Sequence, residues 1–304
     1  MRYQAFGLRI RSTLDLGALP VASEPGPSDV QILVGPTPAQ LDEVRQSGLC
    51  YQAGPQGYLF HLDTIGRFFA TEGRRVIVEP APGADPASLR LFLFGSVFGA
   101  LLHQRGALVL HASAVATPAG ALLVAGPSGA GKSTLCAELL RRGCPVIADD
   151  LCALSPCDGG PIHVLPGYPR LKLWADAAAH FAIPTQSLLP VRPQLPKYEV
   201  PVSAPHPAPL PVRAVLLLSP HAPGPLTVTP VHGFAKLSAL TAQVYRPNLV
   251  AALGSPAAAV PHLLPLARQA AVLRVDRPPS PFPVGELATA VLSHLSSAVA
   301  GPVS

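Results

Sequence analysis

The sequence predicts an α/β protein, and three observations carry that reading. Residues 126–134 read Gly-Pro-Ser-Gly-Ala-Gly-Lys-Ser-Thr and fit the phosphate-loop pattern G-x-x-x-x-G-K-[ST]. An apolar run at 121–125 feeds this loop, and a helical pattern leaves it near Lys132. A second apolar strand, 145–148, then ends on the acidic pair Asp149-Asp150. Composition agrees. Of 304 residues 49% are apolar and 13% charged, which excludes a disordered chain or a coiled coil and leaves room for one large domain or two ordinary ones.

Residues 1 to about 80 read as α/β or mostly β. Short strands are expected at 30–34, 57–62 and 76–78 between Gly/Pro turns, with 66–69 a further candidate. His61, Asp63 and Glu72 read as ordinary surface or turn residues. The Pro82-Gly83-Ala84-Asp85-Pro86 run then offers Asp85 as an N-cap and Pro86 as the first residue of a helix reaching about Gln104. That helix is apolar on most sides, so burial between layers is expected. Residues 1–104 are expected to form a smaller α/β region with this linking helix, and 105–304 the unit that carries the loop.

From Ala107 the pattern becomes strand 107–111, strand 113–116, a Pro118/Gly120 turn and strand 121–125. Helix 132–142 is closed by Gly143, and strand 145–148 follows. Residues 122–148 thus read as a βαβ segment with the loop and the acidic pair on the same edge, where open α/β sheets bind ligands. Beyond Leu154, residues 171–174 and a helix-like 175–181 precede a proline-dense excursion at 184–211 holding Arg192, Lys197, Tyr198 and Glu199. A buried strand at 212–219, helices at 234–241 and 261–269, a strand at 272–275 and an amphipathic helix at 284–296 complete the expectation. No internal repeat is seen. The 38 prolines favour turns and edge strands over long helices.

The chemistry follows from the loop. Its glycines let backbone N–H groups turn toward a polyphosphate, and the helix N-terminus adds its positive dipole end. Gly126, Pro127, Ser128, Gly129, Ala130, Gly131, Lys132, Ser133 and Thr134 are the expected nucleotide (ATP) contacts. Lys132 would neutralise the outer phosphates, and the Ser133 hydroxyl would ligate Mg2+. Asp149 stands 17 residues beyond Lys132, a short spacing that suits a compact kinase. Adjacent strand residues point to opposite faces, so the two carboxylates can divide the labour. Asp149 would hold the metal with Ser133, while Asp150 accepts the proton of the attacking hydroxyl. The alternative is that only one of the pair is essential and the other caps a loop. Arg170, Lys172, Lys197 and Arg246 are candidate cations for the transferring phosphoryl group. His111, taken alone at the end of an apolar strand, reads as a core histidine.

Other classes recede. The net charge of +5 is scattered rather than clustered, so no nucleic-acid footprint is expected. Cys50, Cys136, Cys144, Cys152 and Cys157 form no C-x-x-C pair and no metal spacing, which favours reduced thiols and a cytoplasmic setting. Pairing of Cys152 with Cys157, or their joining a metal site, is the lesser alternative. The first residues lack a signal-peptide core, and the apolar stretch 89–102, interrupted by Arg90, is read as too short to cross a bilayer. A soluble protein without membrane partners is expected.

The run Leu110-His111-Ala112-Ser113-Ala114-Val115, the loop with its leading strand, and Arg142-Gly143 followed by Val146-Ile147-Ala148-Asp149-Asp150 together resemble the catalytic domain of the HPr kinase/phosphorylase family. That family shows L-H-(G/A)-(S/V)-x-V, G-x-S-G-x-G-K-S and R-G-x-x-x-(I/V)-A-D-D at the same mutual distances. The resemblance implies a P-loop fold of the phosphoenolpyruvate-carboxykinase-like type, a mixed sheet flanked by helices. It also implies Mg-ATP-dependent phosphorylation of a serine on a protein or peptide, with an aspartate of the pair as base and His111 beside the transfer site. Relatives in the family are often hexamers, so a homo-oligomer is implied as well. The family's downstream acidic-R-G-x-G signature has its nearest counterpart in 167–174, and residues 1–100 do not resemble its N-terminal domain. In this respect the chain is similar to divergent members from bacterial biosynthetic clusters, some of which phosphorylate a ribosomally made lasso-peptide precursor on a serine near its C-terminus. Two other readings compete: a small-molecule kinase of the shikimate-kinase kind, and a nucleotide-binding regulatory module without catalysis.

Overall fold

The computed structural model describes residues 1–22, 26–155, 160–191, 195–219, 224–253, 259–278 and 282–300; Cys157 and Arg192 lie outside them. Strands β1 (Arg2–Ala5), β2 (Leu8–Ser12), β3 (Val30–Val34), β4 (Gln46–Gly48), β5 (Tyr51–Gly54), β6 (Gly57–Leu62), β7 (Gly66–Thr71) and β8 (Arg75–Pro80) form one eight-stranded sheet in the order β1-β2-β3-β8-β7-β6-β5-β4. β2, β3 and β8 run parallel, and the other neighbours are antiparallel. Strict alternation, as in Leu8-Arg9-Ile10-Arg11-Ser12, buries one face and leaves the other in water. Before Pro86 the described residues form no helix, so the mostly β alternative holds. β1, β2, β4 and β5, absent from the expected strands, are three to five residues long and half polar, which weakens any periodic signal.

Asp85 caps the next segment by accepting from the Ser88 N–H at 2.8 Å, with Pro86 behind it. Helix α1 (Pro86–Phe92) passes through a π-helical turn, Leu93–Val97, into α2 (Phe98–Gln104). The stretch Pro86–Gln104 is, by length and composition, long and apolar enough to cross a membrane, which corrects the reading of 89–102 as too short. Yet 72% of its apolar window is buried inside the protein. Its Leu93, Val97 and Leu101 share a core with Ile32, Phe68 and Val78 of the first sheet and with Val109, Tyr245 and Leu249 beyond it. It is a core helix between layers.

The second half contains β9 (Val109–Leu110), β10 (Ala112–Thr117), β11 (Gly120–Ala125), α3 (Lys132–Arg141), β12 (Val146–Ala148), β13 (Cys152–Ala153) and β14 (His163–Val164). β15 (Arg170–Trp174), α4 (Ala175–His180), β16 (Lys197–Pro201), β17 (Leu210–Ser219) and β18 (Thr227–Pro230) follow. Helices α5 (Phe234–Thr241), α6 (Pro247–Ala252) and α7 (Ala259–Gln269), strand β19 (Ala271–Asp276) and helix α8 (Val284–Ala300) end it. The central sheet is mixed, in the order β12-β10-β11-β17-β19-β18, with β14 against β17. β11, β17 and β19 run parallel, so their carboxyl ends share one edge. β10, β11 and β12 are buried on both faces, whereas the edge strand β18 is largely exposed. Leu123 and Val215 meet Leu240 and Leu266 of α5 and α7, while Leu122, Val124 and Leu216 meet Leu135 and Leu139 of α3 and Leu287 of α8.

Two features differ from expectation, one in the βαβ segment and one in the proline-dense excursion. β12 is next to β11 along the chain but not in the sheet, because β10 lies between them and pairs antiparallel with both. The acidic pair still leaves on the loop's edge. The proline-dense excursion is also partly ordered, since β16 pairs with β15 from Arg170–Pro201 to Trp174–Lys197.

Candidate active site

β11 delivers the chain to the loop through Gly126, whose φ is +142° and where a Cβ would stand 2.7 Å from the Leu218 carbonyl of β17. Gly131, at φ +98°, opens α3, and a Cβ there would come within 2.5 Å of the Phe282 ring. Only glycine fits either place. Between them the Ala130 carbonyl accepts from Arg277, at 2.7 Å from Nη2 and 3.3 Å from Nε. Arg277 is buried, and its guanidinium lies 4.0 Å from the Phe282 ring centre. It reaches the loop because β19 ends on the same edge as β11.

Lys132 is buried, and its ammonium donates to the Gly126 carbonyl at 2.9 Å and the Pro127 carbonyl at 3.1 Å. It also meets His111 Nε2 at 3.2 Å. An ammonium can only donate, so Nε2 is the bare nitrogen and Nδ1 carries the proton. That Nδ1–H donates to the Asp150 carbonyl at 3.1 Å, with Asp150 Oδ1 at 3.4 Å. Burial lowers the His111 pKa, and Lys132 adds to this against the pull of Asp150. The ring is therefore neutral at pH 7. Burial lowers Lys132 too, opposed by Asp150 and Asp149.

The two aspartates face different groups. Asp149 follows Ala148, which stands opposite Ala114 in the β10–β12 ladder, so Ser113 is brought to it. Asp149 Oδ1 accepts from Ser113 at 2.5 Å and from Ser133 at 2.9 Å, and Oδ2 accepts from the Lys172 backbone N–H at 2.8 Å. Asp150 has a positive φ of +69°, sparsely populated for a non-glycine residue, and its Oδ2 accepts from Lys172 Nζ at 2.6 Å. Burial alone would raise the Asp150 carboxyl, but Lys172 and His111 outweigh it and hold the group well below the usual carboxylate range. At neutral pH Asp150 is therefore ionised.

His111, Ser128, Gly129, Gly131, Lys132, Ser133, Thr134, Asp149 and Asp150 line one pocket, joined by Lys172, Trp174 and Lys197. The four candidate cations separate. Lys172 and Lys197 belong to the loop pocket, and Lys197 lies over the Trp174 ring. Arg246 lines an adjoining cavity of about 370 Å³ that also reaches Asp150 and Ser128. Arg170 is turned away: it is buried, forms an ion pair with Glu199 at 2.5 Å and donates to the Leu91 carbonyl. Ser113, Trp174 and Arg277 belong to the site without having been singled out in the sequence. The signal for Arg277 was its place just past a strand parallel to the loop strand.

These residues fit a magnesium-nucleotide. A hydroxyl and a carboxylate oxygen, the hard ligands magnesium takes, converge at Ser133 and Asp149 beside a glycine loop and a buried lysine. No cluster of three or more His, Cys, Asp or Glu suited to another metal occurs among the described residues.

No family model matches the chain, and no curated protein matches its sequence, so the resemblance of the 110–150 motifs has no chain-wide counterpart. Among solved structures the chain is similar to the Hpr(Ser) kinase/phosphatase from Coxiella burnetii, at 13% identity and a TM-score of 0.32, covering 63% of this chain and 93% of that one.

Proposed function

We propose that the chain is a Mg-ATP-dependent kinase that transfers the γ-phosphoryl group to a serine hydroxyl of a protein or peptide. The observation that carries this reading is the split between adjacent carboxylates. Asp149 is turned to Ser133 and the loop, whereas Asp150 is turned to Lys172, His111 and the open cavity. A nucleotide-binding module without an acceptor needs only the first.

Ser133 and Asp149 are the residues that would hold magnesium, which when bound neutralises charge building on the phosphate oxygens. Lys132 moves from the loop carbonyls to the outer phosphates. Lys172 and Lys197 flank the transferring group from the β15–β16 hairpin. Asp150 orients the acceptor hydroxyl and takes its proton. A carboxylate of such low basicity is a weak base for early abstraction. It suits a loose transition state, in which the hydroxyl loses its proton late. His111 is a positioning residue that holds the Asp150 backbone and backs Lys132.

The serine acceptor and the phosphoenolpyruvate-carboxykinase-like subtype rest on the 110–150 motifs. A larger acceptor, such as a ribosomally made precursor peptide, accords with the cavities on both sides of Asp150, about 370 and 680 Å³. In this reading residues 105–304 supply the donor half of the site, in a cytoplasmic enzyme.

The test is mass spectrometry after incubation with Mg-ATP and serine peptides, HPr or a panel of hydroxylated metabolites. Phosphate on a peptide or protein serine, lost in Lys132→Ala, is expected. Phosphate on a metabolite alone would sink the reading in favour of a small-molecule kinase.

A further inference from the structure

A further, larger cavity opens off the cleft. It has a volume of about 890 Å³ and lies between the first sheet, the α1 segment and the start of α6. Its aromatic floor includes Phe60 and Phe92, stacked with ring centres 5.5 Å apart, with Tyr51 beside them. Leu91, Phe92, Ser96, Val191 and Arg246 line both this groove and the cavity that reaches Asp150, so the two are continuous.

The rim is mixed: Thr64, Asp85 and Asn248 are exposed polar residues, yet two large apolar side chains also stand out on it. Leu49, at the β4–β5 turn, is fully exposed, and Leu189, from a distant part of the chain, is 40% exposed on the same groove. Two large apolar side chains held out from separate segments around one groove mark a place where an apolar group is received. Arg246 stands at the junction with the cleft. The 243–245 segment runs along β9, with the His111 N–H on the Gln243 carbonyl at 2.7 Å and the Tyr245 N–H on the Val109 carbonyl at 2.8 Å. Arg246 then turns through a positive φ of +43° and donates to Tyr58 Oη at 3.2 Å and Ser96 Oγ at 3.0 Å. Among the described residues no carboxylate pairs with it. A guanidinium fixed by neutral oxygens keeps its charge for an anionic group.

We infer that this groove is the acceptor subsite: a peptide segment lays an apolar side chain between the first sheet and α1, with an acidic group at Arg246 and its serine at Asp150. This rests on the kinase reading. The groove and the cavity at Asp150 share lining residues, so the apolar residue should stand close to the serine along an extended peptide. The first sheet thereby has a task in catalysis, reading the substrate. The volume also favours a side chain with its backbone over a compact polar metabolite.

The experiment is a kinetic comparison of serine peptides in one polar host, carrying leucine or phenylalanine at each position from −3 to +3, with and without an intervening glutamate. The wild-type enzyme is expected to prefer one or two apolar positions by at least about tenfold in kcat/KM, the ratio expected for taking a leucine-sized side chain out of water. Leu49→Glu with Leu189→Glu should bring that ratio close to one. Both leucines are exposed, so the fold tolerates the change, and the ratio within one enzyme cancels any general loss of activity. Arg246→Gln should erase the glutamate effect while retaining part of the apolar preference. Indifference of the wild-type enzyme to the apolar residue, or a preference that survives both rim substitutions, overturns the groove assignment and leaves the kinase standing. The groove assignment fails equally if the rim substitutions dissolve a dimer yet leave the preference intact. Phosphorylation of no peptide or protein overturns both.

Discussion

Asp150→Asn separates the two roles of that residue. Asn is isosteric, and it tolerates the positive φ of +69° better than most residues, so the turn after β12 should persist. What changes is the charge opposite Lys172, whose Nζ lies 2.6 Å from the carboxylate and whose side chain is only 10% exposed. Removing one partner of a fully buried pair costs about 3–5 kcal/mol. The Asp150 side chain is 27% exposed, and the amide oxygen still accepts from Lys172, so about 2–3 kcal/mol is expected here. Lys172→Met alone strands Asp150 beside the neutral His111 and should cost a similar amount. The double variant removes the stranded charge, so its stability should lie within about 1 kcal/mol of either single variant rather than at their sum. Urea unfolding of all four proteins measures that coupling. Transfer behaves differently: Asp150→Asn should lower kcat by about 10²–10⁴-fold, and the double variant should recover none of it. ATP affinity, read by calorimetry on Asp150→Asn, should hold or tighten, because one negative charge leaves a pocket built for a polyphosphate. Additive stabilities would refute the ion-pair account. Transfer by Asp150→Asn within about threefold of wild type would refute the proposed base.

Three further outcomes follow from the geometry. Gly131→Ala puts a methyl group against Phe282 at a φ of +98°, so nucleotide affinity by calorimetry should fall at least about tenfold, with about 1–3 kcal/mol of stability lost; unchanged affinity would mean that the loop reshapes freely. Arg170→Met strands the half-buried Glu199 and should cost about 3 kcal/mol in urea unfolding, whereas adding Glu199→Gln should restore most of it, and transfer per folded molecule should persist because Arg170 faces away from the loop pocket. Stability should also fall as the pH drops from 7 to 5.5: burial depresses the pKa values of His103 and His111, so the unfolded chain takes up protons first, and the stability present above pH about 6.5 is lost on descent through the folded values. His111→Asn should flatten that slope in unfolding titrations, and a stability that rises on acidification would show that the neighbouring aspartates outweigh burial.

The glycine-loop part of the candidate site was legible in the sequence because its information is local. The loop, its leading strand and α3 are contiguous, and glycine at 126 and 131 reports backbone shapes that no other residue adopts cheaply. Asp149 and Asp150 could be placed on the loop's edge because a crossover through a helix returns the next strand parallel. The insertion of β10 between β11 and β12 was not legible, because no periodicity within 113–125 states which neighbour a strand will take. Ser113 was missed for the same reason, since its hydroxyl meets Asp149 only through that pairing. Arg170 and Lys172 illustrate the limit most sharply. They are two residues apart on one strand and share a face, yet one is spent on Glu199 and the other on Asp150.

The groove proposed for the acceptor was illegible for a deeper reason. Its residues come from β4–β6, α1, the 189–191 segment and the turn at Arg246, joined only by the packing of the first sheet on the Pro86–Gln104 core helix. The apolar helix, whose burial between layers the sequence does predict, thus sets the distance between the proposed acceptor groove and the glycine loop, which the sequence does not state. Its π-helical turn at Leu93–Val97 holds Ser96 against Arg246, and the Tyr245 ring approaches α2 where Gly99 leaves room, a Cβ there standing 2.5 Å from it. On the proposed reading, specificity is an outcome of interlayer packing, whereas phosphate binding is an outcome of local backbone shape. Changes in the first sheet should alter which acceptor is used before they alter whether ATP is bound.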